Sequence, residues 1–270
     1  MATDPDDAGS PLLVGKDFAA ASVFQPRNLL REARRQKAVP AGDVPAICVL
    51  DPDGDIVRAV RADGRGRLDP YWACYHTDMY DVDHDGERLG IVGCAVGAPF
   101  AVLVAEQMFA SGCQLLISVT SAGRIAESLP ASCFVLIERA LRDEGTSLHY
   151  RAAARFAEAD AGLIGRIEGG LRGAGVPEVL LGATWTTDAP FRETETAIAA
   201  ARAVGVLAVE MEAAALYSFA GAGGHKVLCF AHVTNQMARI DGDFEKGEAN
   251  GALDALNLIA ATARAWRTAG

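Results

Sequence analysis

The sequence predicts an α/β fold with a mixed, largely parallel central sheet covered by helices on both faces. Short apolar runs alternate with helical patterns along the 270-residue chain, as in sheets whose strands are joined by helices. Most of these runs lack polar alternation, which is typical of strands buried on both faces. Half of the residues are hydrophobic, enough for one large core. We expect a single domain over residues 25–270, preceded by a disordered or loosely packed segment, residues 1–24.

Each element is predicted from a local pattern. Pro99 near its start and Gly112 at its end bound a helix with an apolar face. Asp85-Gly86 predicts a hairpin turn before a buried strand within residues 80–97. Further helical patterns cover residues 25–36, 153–172, 194–204, 212–221 and 250–268. Further apolar runs predict strands at 45–51, 113–123, 133–140, 179–188, 205–211 and 225–235.

Charge and cysteine usage exclude several classes of function. A net charge of −10 disfavours nucleic acid and anionic membranes as partners, because both require a basic surface. The six cysteines are scattered and form no CxxC pair, which indicates free thiols in a reducing compartment. We find no signal peptide, no apolar run of membrane-spanning length and no metal-ligand spacing. The expectation is therefore a cytoplasmic protein that binds no metal and needs no other cofactor.

The most informative stretch is VEMEAAALY, residues 209–217, where a buried strand runs into an alanine-rich helix. Glu210 and Glu212 bracket Met211 at the junction. The helix dipole stabilises an acid at this place by about 0.3–1 kcal/mol, which explains one acid more easily than two. A carboxylate here can also accept two hydrogen bonds from a vicinal diol, as dinucleotide-binding folds hold a ribose. On the local pattern alone the two interpretations are equal.

The loop TTDAPFRET, residues 186–194, follows another predicted strand. Ligands of such sheets bind beyond the carboxyl ends of the strands. Asp188 is placed to cap the loop and Phe191 to stack on a planar ring. Arg192 is placed to contact a carbonyl or to pair with Glu193. A core phenylalanine and a solvated ion pair are the plainer alternatives.

Three further strand ends carry small or polar residues. Thr120, Ser121 and Gly123 lie in VTSAG, whose backbone N–H groups and hydroxyls suit an anion, although the pattern alone is weak. Gly97 lies in AVGAPF at a helix start, which permits close approach of a ligand to the backbone. Asn235 ends the last predicted strand, and an amide reads a ring N–H and a carbonyl together.

Together these segments resemble the nucleoside phosphorylase family of the uridine phosphorylase and hexameric purine nucleoside phosphorylase type. VEMEAAALY is similar to the family's ribose-binding signature, and GAPFAVLVAEQMFASGC followed by LISVTSAG is similar to its phosphate-loop and helix unit. EGTSLHY and TWTTDAPFRET look like segments of its uridine phosphorylase-like members. The matching order holds from about residue 46 to 268.

The resemblance implies roles for the acids and the following loop. Glu212 would bind the ribose 2′- and 3′-hydroxyls with Met211 lining the sugar, and Glu210 would lie behind them. Phe191 would stack near the base, with Arg192 as a base or loop contact. We thus expect Glu212, Arg192 and Asn235 as the catalytic residues, with Asp188 among the substrate contacts.

Asn235 bears on the choice of base. Purine-cleaving relatives tend to carry an Asp there that protonates the purine. An amide cannot donate a proton as an acid does. The resemblance therefore favours a pyrimidine-like or other lactam base over adenine.

The chain departs from the family at the phosphate site. Phosphorolytic members hold phosphate with arginines at three places. Here DPDGDIVR offers only a shifted Arg58, CYHTDMY has Thr77 near the expected place, and Ser118 occupies the third. Thr120 replaces the usual glycine of the phosphate loop. We keep Arg58 and His76, the latter from CYHTDMY, among the substrate-binding candidates.

The resemblance implies an enzyme that cleaves the N-glycosidic bond of a nucleoside. Pentosyl transfer to phosphate as co-substrate is the leading expectation. Hydrolysis is the alternative, because each missing arginine would remove a charged hydrogen bond of some 1.5–3 kcal/mol. A non-catalytic nucleoside-binding protein is the third. Family relatives build their sites across subunit interfaces, so a homo-oligomer, dimer or hexamer, is expected, with CYHTDMY reaching toward the partner.

Overall fold

The structure, a computed structural model, describes residues 10–130, 132–235 and 248–268. Within these ranges the chain forms ten strands and seven α-helices. The strands are β1 (Ile47–Asp51), β2 (Arg67–Leu68), β3 (Tyr80–His84), β4 (Glu87–Gly93), β5 (Leu115–Arg124), β6 (Cys133–Asp143), β7 (Phe156–Glu158), β8 (Val179–Thr187), β9 (Val206–Glu210) and β10 (Lys226–Asn235). The helices are α1 (Pro26–Lys37), α2 (Asp55–Ala62), α3 (Ala98–Ala110), α4 (Ala161–Leu171), α5 (Glu195–Ala203), α6 (Ala213–Gly223) and α7 (Ala252–Arg267).

The ten strands join one mixed sheet. Its order is β10-β6-β8-β9-β5-β1-β4-β3-β2, with β7 paired to β6. Because β5 also pairs with β10, the strands β5, β10, β6, β8 and β9 form a closed ring, from which β1 to β4 extend as an open sheet. Parallel and antiparallel pairings are equally frequent among the described strands. The sheet is therefore mixed as predicted, with a smaller parallel share than expected.

The carboxyl ends of four ring strands meet at one place. β10 runs parallel to β5, and Asn235 at its end pairs with Gly123. β9 runs antiparallel to β5 and pairs with it only where both strands end, at Gly123 and Val209. β8 runs parallel to β9 and brings Thr186 beside Glu210. The residues that follow these strands therefore lie close together although their strands run in opposite directions.

Helices cover both faces of the sheet, as predicted. α3 and α6 pack on one face over the larger apolar core, and α1 packs on α3. α2, α4 and α7 pack on the other face over a second core. α5 packs on β9 with a smaller cluster. Both faces of the strands are thus buried, which explains their continuous apolar runs.

The predicted hairpin and most element bounds are confirmed. Asp85 (φ 48°) and Gly86 (φ 79°) form the turn between the antiparallel strands β3 and β4. Positive φ at both central residues is the backbone geometry of a tight hairpin turn. No helix in the described ranges is long and apolar enough to cross a membrane.

Two elements differ from the prediction. Residues 153–172 are not one helix: strand β7 comes first, and α4 begins only after Asp160, whose carboxylate accepts the N–H of Leu163 at 3.0 Å as an N-cap. α2 was not predicted. It follows Gly54 (φ 77°) and spans only eight residues, too few for a clear helical period.

Candidate active site

Glu210 is a buried acid whose carboxylate accepts four hydrogen bonds. Oε1 accepts from the hydroxyls of Thr184 (3.0 Å) and Thr186 (2.5 Å). Oε2 accepts from the backbone N–H groups of Glu212 and Ala213, both at 2.7 Å. Those N–H groups lie at the start of α6, where a helix lacks its own acceptors. Glu210 therefore holds the junction between β9 and α6.

The surroundings of Glu210 indicate a structural role. Burial raises the pKa of its carboxyl, while the four hydrogen bonds act in the opposite direction by stabilising the charge. The Thr186 hydroxyl also accepts the N–H of Ala214 at 2.9 Å. One acid of the pair thus serves the helix start, as the dipole interpretation predicts.

Glu212 is equally buried but contacts a different part of the chain. Its Oε1 accepts the backbone N–H of Gly97 at 2.7 Å, and its Oε2 accepts that of Met211 at 3.3 Å. The Thr120 side chain lies nearby and lowers the pKa of this carboxyl, while its hydroxyl donates to the carbonyl oxygen of Ser121 at 3.3 Å. Glu212 therefore joins the β9–α6 junction to the loop before α3 and to the end of β5.

The environment of Glu212 favours its protonated form. Burial raises the pKa of this carboxyl to about 8, helped by the charges of Glu210 and Asp53. The hydrogen bond from Gly97 and the nearby Thr120 side chain oppose the rise without cancelling it. A strongly raised pKa of this kind is common at functional sites.

Gly97 is required by its backbone conformation. It has φ 87° and precedes the first residue of α3. A Cβ at this position would meet no atom within 4 Å, so the constraint is the positive φ, which side chains disfavour. This conformation points its N–H at Glu212.

Ser121 lies at the end of β5, and both of its donors are bound by a carboxylate. Its backbone N–H donates to Oδ2 of Asp53 at 2.8 Å, and its hydroxyl donates to Oδ1 at 2.9 Å. Asp53 follows β1 and is half-buried. The loop predicted to bind an anion therefore binds one, and that anion belongs to the chain itself.

The arginine predicted for the anion site pairs elsewhere. Arg58 donates to Oδ1 of Asp55 at 2.5 Å and to the carbonyl oxygen of Asp53 at 2.8 Å. It therefore lies beside the Asp53 loop with its charge balanced by Asp55. Arg124, which follows the anion loop, donates to the carbonyl oxygen of Pro130 at 2.7 Å.

The loop after β8 carries an exposed aromatic side chain. Phe191 lies in the short 3-10 turn Pro190–Arg192 and is fully exposed. Asp188 accepts the backbone N–H of Gly145 at 2.9 Å and so ties this loop to EGTSLHY, in keeping with its predicted capping role. The predicted ion pair between Arg192 and Glu193 does not form. Instead, burial raises the pKa of Glu193 to about 7.

Comparison with known proteins agrees with this arrangement. The model of the phosphorylase superfamily matches residues 53–265, which is most of the chain and contains both acids and both loops.

The chain belongs to the phosphorylase superfamily.

Relatives within the superfamily are distant. A guanosine phosphorylase of Halorubrum lacusprofundi is 23% identical over 174 residues, 64% of this chain and 69% of that protein. A DeoD-type purine nucleoside phosphorylase of Colwellia psychrerythraea is 26% identical over 160 residues, 58% of this chain and 68% of that protein. The crystal structure of uridine phosphorylase from Vibrio fischeri has a TM-score of 0.67 at 20% identity, covering 82% of this chain and 92% of that one. At this identity the likeness concerns the fold.

The superfamily fold brings most predicted site residues together. Glu210, Met211, Glu212, Gly97, Thr120, Ser121 and Gly123 lie at the converging strand ends. Arg58 pairs with Asp55 and contacts the network through the carbonyl oxygen of Asp53, whereas His76 is exposed with its ring against Phe100 in the first turn of α3. The backbone of Asn235 is at the strand ends, and its side chain lies outside the described part of the chain.

No role was predicted from the sequence for Asp53 or for the two threonines of β8. Thr184 and Thr186 share a face of β8, so their contact with Glu210 requires knowledge of which strand neighbours β9. Asp53 follows β1 directly, in a segment set aside for its lack of arginine. An acid at the place where an anion-binding group is expected was the signal available.

Proposed function

We propose that this protein cleaves the N-glycosidic bond of a nucleoside and transfers the pentosyl group to phosphate. The observation that carries the proposal is the position of Glu212. Its carboxylate accepts the backbone N–H of Gly97 at 2.7 Å, and the Thr120 side chain lies close enough to lower its pKa. Three segments far apart in sequence, which resemble a sugar-binding signature and a two-part phosphate loop, thus meet at one side chain. Membership of the phosphorylase superfamily supports the same reaction.

The proposed chemistry follows from this placement. A phosphate oxygen forms a bond to C1′ of the sugar while the C1′–N bond breaks. The electron pair of that bond passes to the base, which takes a proton from solvent and leaves. Free base and pentose 1-phosphate are the products. The transition state is oxocarbenium-like, so groups that hold the sugar and stabilise the departing base accelerate the reaction. The proposed reaction needs no metal or further cofactor.

In this proposal Glu212 orients the sugar through its 2′- and 3′-hydroxyls, with Met211 against the sugar and Glu210 fixing both. Met211 is partly exposed between two buried acids, which suits a contact with substrate. The loop with Ser121 and the loop with Gly97 are the proposed contacts of phosphate. The remaining proposed contacts are Thr120, Gly123, Arg58, His76 and Asp188.

For the base we propose a lactam, with a pyrimidine favoured. Asn235 would read a ring N–H and a carbonyl at once, and Arg192 would stabilise negative charge on the departing base. Phe191 is fully exposed on its turn, as expected of a side chain that stacks on a ligand. The names of the relatives include both guanosine and uridine phosphorylases, and both bases are lactams. Substituting Asn235 by Asp should extend cleavage toward adenosine.

Hydrolysis is a second candidate, favoured by one specific observation. The Asp53 carboxylate already binds both donors of Ser121. A carboxylate at this place would orient and deprotonate a water molecule more readily than it would accept a phosphate dianion as neighbour. In that case the oxygen of water would attack C1′, and free pentose would be the product.

Assembly, location and domain organisation also belong to the proposal. We propose a homo-oligomer, dimer or hexamer, with the segment around His76 directed toward the partner. Of the six cysteines, five are buried and all are free thiols, which supports a reducing, cytoplasmic location. The sheet continues from β1 through β10, which supports a single domain over residues 25–270.

The decisive experiment is product analysis with a panel of pyrimidine and purine nucleosides, with and without phosphate. Pentose 1-phosphate formed only with phosphate would support the phosphorylase, and free pentose regardless of phosphate would support hydrolysis. Glu212→Gln should lower either activity at least about a hundredfold, whereas Glu168→Gln on the exposed face of α4 should leave it unchanged. Nucleoside binding without any product would contradict an enzymatic role.

A further inference from the structure

We propose that Asp53 sets the affinity of this site for phosphate by occupying the donors of Ser121, so that phosphate binds only after the Asp53 side chain leaves. This inference rests on the proposed function, because it concerns the acceptor of the same reaction. It makes Asp53 a specificity-determining residue that decides between phosphate and water.

The geometry of the pair is that of a bound anion. Both oxygens of Asp53 are used, one by the backbone N–H of Ser121 at 2.8 Å and one by its hydroxyl at 2.9 Å. Two hydrogen bonds to an ionised carboxylate from one residue are charge-assisted and directional. A phosphate oxygen pair would engage the same two donors.

The donors of Ser121 cannot be shared. A backbone N–H carries one proton and a hydroxyl carries one proton, and Asp53 accepts both of them. Phosphate at this loop therefore competes directly with Asp53. This competition lowers the affinity for phosphate, because each hydrogen bond from Ser121 to phosphate replaces an existing one to Asp53.

Charge increases the competition. The negative charge of Asp53 is felt at Glu212, where it contributes to the raised pKa of that carboxyl. A phosphate dianion between these acids would be repelled as long as Asp53 stays in place. Arg58 lies beside this loop, and its guanidinium pairs with Asp55 at 2.5 Å.

The local backbone permits Asp53 to leave without unfolding. Its carbonyl oxygen is held by Arg58 at 2.8 Å, and the N–H of Gly54 donates to the carbonyl oxygen of Asp51 at 2.9 Å. The main chain of the turn is thus anchored at both sides. Asp53 itself is only half-buried, so a rotation of its side chain is the movement that frees Ser121.

The test is the binding of inorganic phosphate, measured by isothermal titration calorimetry without nucleoside. Asp53→Ala should bind phosphate about ten- to hundredfold more tightly than the wild-type protein, the range expected when a competing charged hydrogen bond is removed. Asp53→Ala combined with Ser121→Ala should lose most of that gain. Asp63→Ala, which removes the same charge at the far end of α2, should change phosphate affinity less than about twofold.

The neutral variant Asp53→Asn guards against a folding defect. Its amide retains an acceptor for Ser121 without the charge, so we expect an intermediate gain in phosphate affinity, with thermal melting as the check on folding. Unchanged affinity in both Asp53 variants, or an equal gain in Asp63→Ala, would overturn the proposal. So would the absence of phosphate binding in all variants. Because the titration contains no nucleoside, the phosphate-binding result can be interpreted even if the protein does not cleave nucleosides.

Discussion

The backbone N–H of Glu212 donates to the Glu210 carboxylate at 2.7 Å, so the first acid of the Glu-Met-Glu sequence holds the second in place. Among the described residues, Glu210 accepts hydrogen bonds from the neighbouring strand β8 and from the start of α6. Glu212 binds the loops that resemble a phosphate site. Substitution of Glu210 is therefore expected to affect mainly stability, and substitution of Glu212 mainly activity.

Changing Glu210 to Gln should destabilise the protein. The amide nitrogen cannot accept a hydrogen bond, so two of the four donors around Glu210 would lose their acceptor in a buried place. We expect a loss of about 2–4 kcal/mol in the free energy of unfolding, measured by urea denaturation, together with lower activity. Glu168→Gln is the control. A Glu210→Gln protein of wild-type stability would contradict the structural role.

Changing Glu212 to Gln should instead remove function while keeping the fold. The substitution removes a buried ionisable group, so the free energy of unfolding should change by less than about 1 kcal/mol at neutral pH. Above the pKa of about 8, loss of the ionised acceptor for two sugar hydroxyls should lower kcat/KM for nucleosides at least about a hundredfold. Steady-state kinetics on a cleaved nucleoside measures this. Activity within a few-fold of wild type would exclude Glu212 as the sugar ligand.

The raised pKa of Glu212 predicts the pH dependence of nucleoside binding. A carboxyl with a pKa of about 8 is protonated below that pH and ionised above it. The ionised form is the better acceptor for two hydroxyls. We therefore expect kcat/KM to rise as pH increases toward about 8 and then to level off. The rise should be missing in the residual activity of Glu212→Gln, and a flat wild-type profile would contradict the assignment.

Asp51 should make stability fall as pH rises. Its carboxylate accepts the N–H groups of Gly54 and Val57, and burial raises its pKa from 3.8 to about 7. Between these values the folded protein binds more protons than the unfolded chain, so the free energy of unfolding decreases with increasing pH. The contribution amounts to about 4 kcal/mol at most. Comparing urea denaturation of Asp51→Asn and wild type across this window should show the flatter dependence in the variant.

Phe191 should matter for binding and not for stability. Its side chain is fully exposed, so Phe191→Ala should change the free energy of unfolding by less than about 0.5 kcal/mol. If it stacks on the base, the loss of about 1–3 kcal/mol of stacking should raise KM at least about fivefold. Phe18, an exposed phenylalanine of the N-terminal region, provides the matched control as Phe18→Ala. An unchanged KM for Phe191→Ala would remove Phe191 from the site.

The sequence predicted the fold class and the loops of the site from local patterns. Continuous apolar runs identified the buried strands, and the Asp85-Gly86 turn identified the hairpin, because turn chemistry is local. The prediction of one helix over residues 153–172 was wrong because the three-residue strand β7 is too short to show a recognisable alternation in the sequence. Its pairing with β6 is a tertiary contact.

The loops of the site could be predicted from the sequence, but the contacts between their side chains could not. Each loop could be found from its place after a strand, and the family resemblance gave Glu212 its role. Which side chains are in contact depends on the order of the strands in the sheet. The antiparallel pairing of β5 and β9 at Gly123 and Val209 cannot be predicted from the sequence of either strand. The contact of Asp53 with Ser121 spans 68 residues and arises from that order alone.

The closed ring of β5, β10, β6, β8 and β9 has a consequence for how the protein folds. β5 precedes β9 and β10 by some hundred residues of chain, so its two ring pairings are among the least local strand pairings of the sheet. Non-local pairings of this kind form slowly. During synthesis β5 emerges long before the strands that complete it, and its ring edge stays unpaired until they arrive. The acids and the anion loop come together when β5 pairs with β9 and β10. Enzymatic activity should therefore return with the slowest step of refolding.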